Sequence, residues 1–374
     1  MKTVLILGGG IMGLSAAWGF CRAGWSVRVI DQDPIPNPRG ASVDHHRLIR
    51  HAYGTDAGYM RMVDDAYLAW DLLWADLGQV LHVPTGVLVL SADGGARYAE
   101  GRKTLLDDGR PVRDLTPAET LALCPALAPE HLFAAYALAP GGVLLADRIV
   151  AALAAHLAAR GVVFERARVT EVDAARATLR RSDGSTRTAD RLIVAAGPWA
   201  PRLLSGIAAR VTASRQVLAY LEPPPGLWDT SPMLLDLPSF DEADKGGFYA
   251  VPPVAGTPLK VGDHRFSLAG DAEDDRAATP AEIEEVLAFV RPRLRDFGAY
   301  RVLGGQACYY DVEPRERFVV EPLGPDTWVM SGFSGHGFKF GALLGLALAG
   351  GDPDLPAWAA GQAPPSPALR RNWA

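Results

Sequence analysis

Gly8-Gly9-Gly10-Ile11-Met12-Gly13 places three glycines at GxGxxG spacing, directly after the apolar run 4–7 and directly before a helical pattern over residues 11–23. That arrangement suits a pyrophosphate: Gly8 permits a tight turn, Gly10 lets the phosphates approach the backbone, and Gly13 lets the helix pack close to the strand. Ile11 and Met12 open the helix, whose unpaired N–H groups and positive dipole end attract an anion. Asp31 closes a second apolar run, 27–30, and can accept hydrogen bonds from ribose hydroxyls. The glycine spacing alone is weak. Strand, turn, helix, second strand and acid arriving in register make it a dinucleotide site, which does not by itself separate FAD from NAD, although an aspartate at this place disfavours NADP.

Two other groupings invite chemistry. His45-His46 followed by His51 suggests a metal, but no cysteine or carboxylate arrives at ligand spacing, so no metal is expected. Cys21, Cys124 and Cys308 lie far apart without a CxxC spacing. That excludes a zinc ribbon or a disulfide framework and suits a reducing cytoplasm.

Elements must hold these residues in place. A chain of 374 residues exceeds one small domain and fits two packed units. The net charge of -6 offers no basic stripe, so no nucleic-acid partner is expected. The apolar run 4–7 is too short for a signal peptide, and no segment reaches the roughly 18 apolar residues that span a bilayer. A soluble, cytoplasmic protein with no membrane partner is the expectation.

Met60, Val63, Tyr67, Trp70, Trp74 and Leu77 fall at helical spacing, and their aromatic stripe reads as core. Residues 87–90 read as a strand, 94–142 as loops and short helices, and Asp147 as the cap of a helix ending at Arg160-Gly161. Strands are expected over 162–165, 170–173 and 192–196, with a hairpin turning at Asp183-Gly184. Thr279-Pro280-Ala281-Glu282 has the form of a capping box, opening a helix with Ile283, Val286, Leu287 and Val290 on one face. The tail after Gly351, rich in Pro, Ala and Gly, is expected to lie on the surface or fray.

Residues 6–13, RLIRHAYG (47–54), 192–199 and the stretch 308–340 with its string GFSGHGFKFG (332–341) together resemble the D-amino-acid-oxidase-like superfamily of flavoproteins. The nearest branch is that of monomeric sarcosine oxidase and N-methyltryptophan oxidase, and the resemblance covers nearly the whole chain. It implies FAD in an extended conformation with its isoalloxazine between two domains. In that branch the flavin is joined covalently to a cysteine two residues before a tyrosine, ahead of an acidic-rich turn and an apolar strand. Cys308-Tyr309-Tyr310, the turn 313–317 and Phe318-Val319-Val320 match it. A thiolate beside an electrophilic flavin is chemically competent. The family's acidic-His pair is Glu316-Arg317 here, which alters the charge expected at the dimethylbenzene edge.

The same resemblance assigns roles. Arg50 and Lys339 match a pair that clamps a substrate carboxylate, a planar fork beside a point charge. Arg47 falls where a positive charge lies near the flavin ring. Lys260 matches the lysine over the flavin, where a fixed cation stabilises charge passing to oxygen. His264 matches a substrate-contacting histidine, and i and i+4 on one strand share a face. Asp263 stands where relatives carry an aromatic, on the other face. Tyr249 and Tyr310 match pocket walls. Gly197, Gly335, His336, Gly337 and Lys339 fall at cofactor contacts, and the helix beginning near Gly341 would direct its positive end at the flavin.

The expected fold is α/β, with a Rossmann-type FAD-binding domain from 1–85, 143–215 and 303–374. A substrate domain built on an antiparallel sheet takes 86–142 and 216–302. The expected reaction is oxidation of a secondary amine bearing a carboxylate, an N-methyl or cyclic amino acid, to an imine that hydrolyses, with molecular oxygen reduced to hydrogen peroxide. A dehydrogenase passing electrons to a protein or quinone, and an FAD-binding protein without turnover, stand as alternatives. The resemblance leans towards a monomer.

Overall fold

Short apolar runs bracketed by glycine fold into the strands that the pattern requires. In the computed structural model, which describes residues 1–237 and 247–365, six of them form one sheet. Its spatial order is Val319–Pro322, Thr327–Ser331, Arg191–Val194, Thr3–Leu7, Ser26–Asp31, Val163–Arg166. All neighbours run parallel except Val319–Pro322, which turns back on Thr327–Ser331. The inner strands are buried on both faces, as parallel sheets require, and the continuous apolar runs supply that burial.

Helix Ile11–Arg22 lies against helix Gly341–Gly350. A Cβ on Gly19 would stand 2.4 Å from the Gly345 carbonyl oxygen, and one on Gly345 would stand 2.2 Å from that of Ser15. The two helices therefore touch backbone to backbone, and the fingerprint helix is held by the other end of the chain. Helix Ala57–Leu77 buries Trp70 and Trp74, whose rings stack at 4.9 Å, so its stripe is core.

Eight strands form the second large sheet, in the order Arg301–Val312, Thr212–Glu222, Leu259–Asp263, Phe248–Val251, Met233–Leu237, Val87–Ser91, Ala134–Leu138, Val112–Leu115. Neighbours are antiparallel, as expected, except Met233–Leu237 with Val87–Ser91, which run parallel. The chain reaches these two by a long excursion, so no hairpin dictates their sense. The expected divisions at 215 and 303 fall inside Thr212–Glu222 and Arg301–Val312. These strands pair from Thr212 opposite Val312 to Glu222 opposite Arg301. The passage between the layers is made along continuous strands, which carry no compositional break.

Several local expectations change. Residues 94–142 contain helix Ala96–Asp107 and two strands of the large sheet, and a second capping box, Thr116 with Glu119, opens helix Pro117–Leu123. Leu145, not Asp147, occupies the cap of helix Ala146–Ala159, because strand Gly142–Leu144 runs straight into it. Asp147 lies in the first turn, where it complements the dipole. The Thr279 box forms as expected: Glu282 N–H donates to Thr279 Oγ1 at 3.2 Å and Thr279 N–H to Glu282 Oε2 at 2.8 Å. The tail does not simply lie on the surface. Leu355–Ala359 is a helix with Leu355, Trp358 and Ala359 fully buried, driven by the apolar area of one tryptophan. Residues 366–374, and part of the pocket-shaping region expected around 217–244, lie outside the described residues. Among the described residues no helix is long and apolar enough to cross a membrane.

Candidate active site

The first turn of the fingerprint helix opens a cavity of about 340 Å³ lined by Gly8, Gly10, Ile11, Met12 and Asp31 at one end. Gly8 has φ +109°, and a Cβ on Gly13 would stand 1.9 Å from the Gly8 carbonyl oxygen, so both glycines are required by this turn. Ile11 N–H donates to Ser42 Oγ at 2.9 Å. Its neighbours in the first turn have no intrahelical acceptor and border the cavity. Asp31 accepts from Gly9 N–H at 2.7 Å, Asp33 N–H at 3.0 Å and Asn37 Nδ2 at 3.0 Å. A carboxylate has about four acceptor positions, so about one remains for a hydroxyl. Gly197, Arg47, Tyr310, Gly335, Gly337 and Phe338 line the rest of the cavity. A channel with helix N–H groups and an acid at one end, and aromatic and apolar walls towards the other, fits an extended FAD.

Beyond Arg47 lies a cluster whose centre sequence reasoning missed. Asp44 is buried with four donors on its carboxylate: Lys260 Nζ at 2.7 Å, Tyr220 OH at 2.6 Å, His45 N–H at 2.7 Å and Arg47 Nη1. Lys260, 3% exposed, also donates to the His46 carbonyl at 2.7 Å. Burial alone would raise the Asp44 carboxyl, but Lys260 and Arg47 together hold it well below the usual carboxylate range. Burial lowers Lys260 despite Asp44. Burial would lower Arg47 too, but Asp44 outweighs it and keeps the guanidinium charged. Cys308 shares this neighbourhood: burial pushes its thiol up while Arg47 and Lys260 pull it down. It lies two residues before the cavity-lining Tyr310 on strand Arg301–Val312, hence on the same face.

A second cationic pair is arranged differently. Lys339 is 4% exposed, and among the described residues its ammonium donates to neutral oxygens, Tyr53 OH at 2.9 Å and the His336 carbonyl at 2.8 Å. Arg50 lies over the Tyr53 ring at 4.9 Å. Among the described residues neither cation has a carboxylate within ion-pair distance. Burial first, and then their mutual repulsion, hold Lys339 well below the usual lysine range, and burial lowers Arg50. Trp70 Nε1 donates to the Lys339 carbonyl at 2.7 Å, so the core helix fixes the backbone that carries this lysine.

Lys260, Gly262 and His264 follow one another on one face of Leu259–Asp263 and the residue after it. Tyr249 bridges them, its ring 5.9 Å from Lys260 Nζ and 5.4 Å from the His264 ring. A Cβ on Gly262 would stand 2.5 Å from Tyr249 OH, so the glycine makes room for that ring. The His264 side chain is exposed to solvent beside the Tyr249 ring. Burial in the protein mass, then Arg50 and Arg97, push its pKa down to about 4. Asp263 turns away and pairs with Arg265.

His336 and its neighbours face different ways. Its flanking glycines line the cavity, but its ring turns into an aromatic cluster with Tyr53, Tyr59 and Phe318. Nε2 faces the Glu316 carbonyl at 3.1 Å and Nδ1 faces Tyr53 OH at 3.3 Å. The ring thus orients Tyr53, which sequence reasoning also missed, and Tyr53 in turn meets Lys339. The three histidines near residue 45 go separate ways: His46 to Thr257 at 2.8 Å, His51 to Asp64 at 2.9 Å, and His45 edge-on to Tyr220.

The profile of the FAD dependent oxidoreductase family, DAO, matches residues 3–350. The chain belongs to this family. It is 29% identical to an N-methyl-L-tryptophan oxidase of Yersinia pestis (strain Pestoides F), over 92% of this chain and 93% of the relative. Among solved structures, an L-proline dehydrogenase from P. horikoshii superposes with a TM-score of 0.81 at 19% identity, covering 96% of this chain and 97% of that one. NikD, an amino acid oxidase essential for nikkomycin biosynthesis, gives 0.80 at 18% identity, covering 99% and 97%. These likenesses accord with the fold: a Rossmann-type layer with a second, strand-rich layer. As a member of this family the chain is an FAD-dependent oxidoreductase.

Proposed function

We propose that this enzyme oxidises a secondary amine carrying a carboxylate, an N-methyl or cyclic amino acid, and passes the electrons to oxygen. The observation that carries the reading is the pairing of half-buried Arg50 with buried Lys339, neither of which has a carboxylate within ion-pair distance among the described residues. Two desolvated cations side by side are unfavourable until an anion joins them. A carboxylate fits: Arg50 offers a planar fork, and Lys339 has used two of its three donors. Tyr249 and His264 wall the amine side, and the histidine, its pKa pushed down to about 4, adds no positive charge beside the amine at neutral pH.

When bound, FAD supplies the two-electron acceptor. The substrate loses two electrons and two protons to become an imine, which adds water and splits to a carbonyl compound and an amine. Oxygen takes up two electrons and two protons to give hydrogen peroxide. Lys260 and Arg47 hold positive charge where electrons pass to oxygen. Gly8, Gly10, Ile11, Met12, Gly13 and Asp31 would hold the ADP half, and Gly197, Gly335 and Gly337 the approach to the ring. Cys308 would carry the covalent bond. Its place on the Tyr310 face and the two cations acting on its thiol support that assignment.

Peroxide formed per amine consumed in air tests the acceptor: a ratio near one is expected, and negligible peroxide with continued turnover of an artificial dye favours a dehydrogenase. Acid precipitation tests the link. Wild-type flavin should stay with the pellet, and Cys308→Ala should release it.

A further inference from the structure

Lys260 is the only part of the oxygen-facing machinery whose charge the protein must defend, because an ammonium so deeply buried tends to lose its proton. The groups facing it are Asp44, Arg47 and His46 from the segment leading into strand Arg47–Ile49, Tyr220 and Tyr249 from the flanking strands, and Cys308 from Arg301–Val312. Arg47 and any charge on His46 oppose a proton on Lys260. Tyr220, Tyr249 and Cys308 are all held in their neutral forms by burial. Among the described residues, Asp44 is the one anion in contact.

Its geometry leaves it no other task. Four donors occupy the carboxylate, so it has no free position for substrate or cofactor. It is anchored at both ends of its residue, because its carbonyl accepts Asp147 N–H at 3.0 Å from the first turn of helix Ala146–Ala159. The His46 carbonyl takes a second Lys260 proton, which leaves one donor of the ammonium unspoken for.

We propose that Asp44 is the positioning residue for Lys260: its fixed carboxylate keeps the ammonium charged and turns its one free N–H towards the flavin face. This rests on the reading of Lys260 as the cation beside bound flavin. It does not rest on oxygen being the acceptor.

The test uses sulfite as probe on the FAD-loaded enzyme. Sulfite adds reversibly to bound flavin, bleaches its visible absorbance and leaves negative charge that a nearby cation stabilises. Its Kd is measured from pH 6 to 10 for wild type, Asp44→Asn, Lys260→Met and the double variant. Referring each value to Lys260→Met at the same pH removes sulfite's own ionisation. Wild type should show a step, with affinity lost as pH rises and Lys260 gives up its proton. In Asp44→Asn that step should move down by about 1–3 pH units, the usual effect of one opposite charge in contact. Asp44→Glu should return it part of the way. In the Lys260→Met background Asp44→Asn should change the Kd less than twofold. A step that stays in place, the absence of any step that Lys260→Met removes, or an equal effect of Asp44→Asn with and without Lys260 overturns the proposal. Neither amine nor oxygen enters the titration, so an enzyme that delivers its electrons elsewhere leaves this test intact while losing the oxidase reading.

Discussion

Two pairs of cations, each a half-buried arginine with a buried lysine, are treated in opposite ways. Arg47 and Lys260 converge on Asp44, which accepts from both, and the set is closed. Arg50 and Lys339 meet aromatic rings, a tyrosine hydroxyl and a backbone carbonyl, with no carboxylate within ion-pair distance among the described residues, and the set is open. Burial acts on both lysines in the same direction, so the difference lies in the partner. A closed set holds charge permanently at one place. An open set holds a deficit that only an incoming anion removes. The first suits a fixed electrostatic task and the second suits recognition.

Breaking the open set should have the larger effect. Arg50→Ala or Lys339→Ala should weaken binding of an N-methyl amino acid by about 2–5 kcal/mol, roughly 30- to 5,000-fold, the range for removing one partner of a desolvated charge pair. Anaerobic flavin bleaching measures it. The methyl ester of the same substrate should bind poorly to wild type and lose little more in the variants; an ester that binds wild type as well as the acid contradicts the assignment. Breaking the closed set should separate the half-reactions. Lys260→Met should slow reoxidation in air by about 10²–10³-fold while leaving anaerobic reduction nearly unchanged. Equal losses in both would show that the lysine serves substrate instead.

A subtler break lies between the sets. Gly262→Ala puts a methyl group where Tyr249 OH now lies and should push that ring away from His264, lowering kcat/KM by about ten- to a hundredfold with little change in Tm. The open set can also be sharpened by pH. Lys339 sits below its ordinary pKa in the free enzyme, and an arriving carboxylate favours its charged form. Affinity for an unreactive carboxylate should therefore be greatest at low pH and fall by about tenfold per pH unit once pH exceeds that lowered pKa. Spectral titration of the bound flavin follows it, and a flat profile, or the same slope in Lys339→Met, argues against the linkage.

How much of this was legible in the sequence follows from how far apart the partners are. The fingerprint could be read because strand, glycines, helix and acid lie within residues 3–31, and each obeys a local rule. Lys260 and His264 could be placed on one face because period two is also local. Asp44 could not be found that way: Tyr220 and Lys260 are 176 and 216 residues away, and beside two histidines it reads as a loop acid. The same holds for Tyr53, which becomes a site residue only when Lys339 is brought to it from 286 residues on. For His336 the local pattern gave the cavity-lining backbone of its glycine neighbours, while the aromatic cluster its ring joins is assembled from Tyr53, Tyr59 and Phe318. The layer boundaries escaped because the chain crosses them within extended strands.

The glycine contacts between the first long helix and the last have a consequence for biosynthesis. Residues 8–13 leave the ribosome early, but their helix cannot be clamped until Gly345 has been made and has left the exit tunnel. At about 5–20 residues per second, that is a wait of roughly 15–70 s. Throughout it, the phosphate-binding turn exists without its partner wall, and the open cationic pair lacks Lys339. Cofactor capture is therefore an event of the finished chain. A nascent or truncated product that ends before this helix should emerge colourless, however intact its fingerprint.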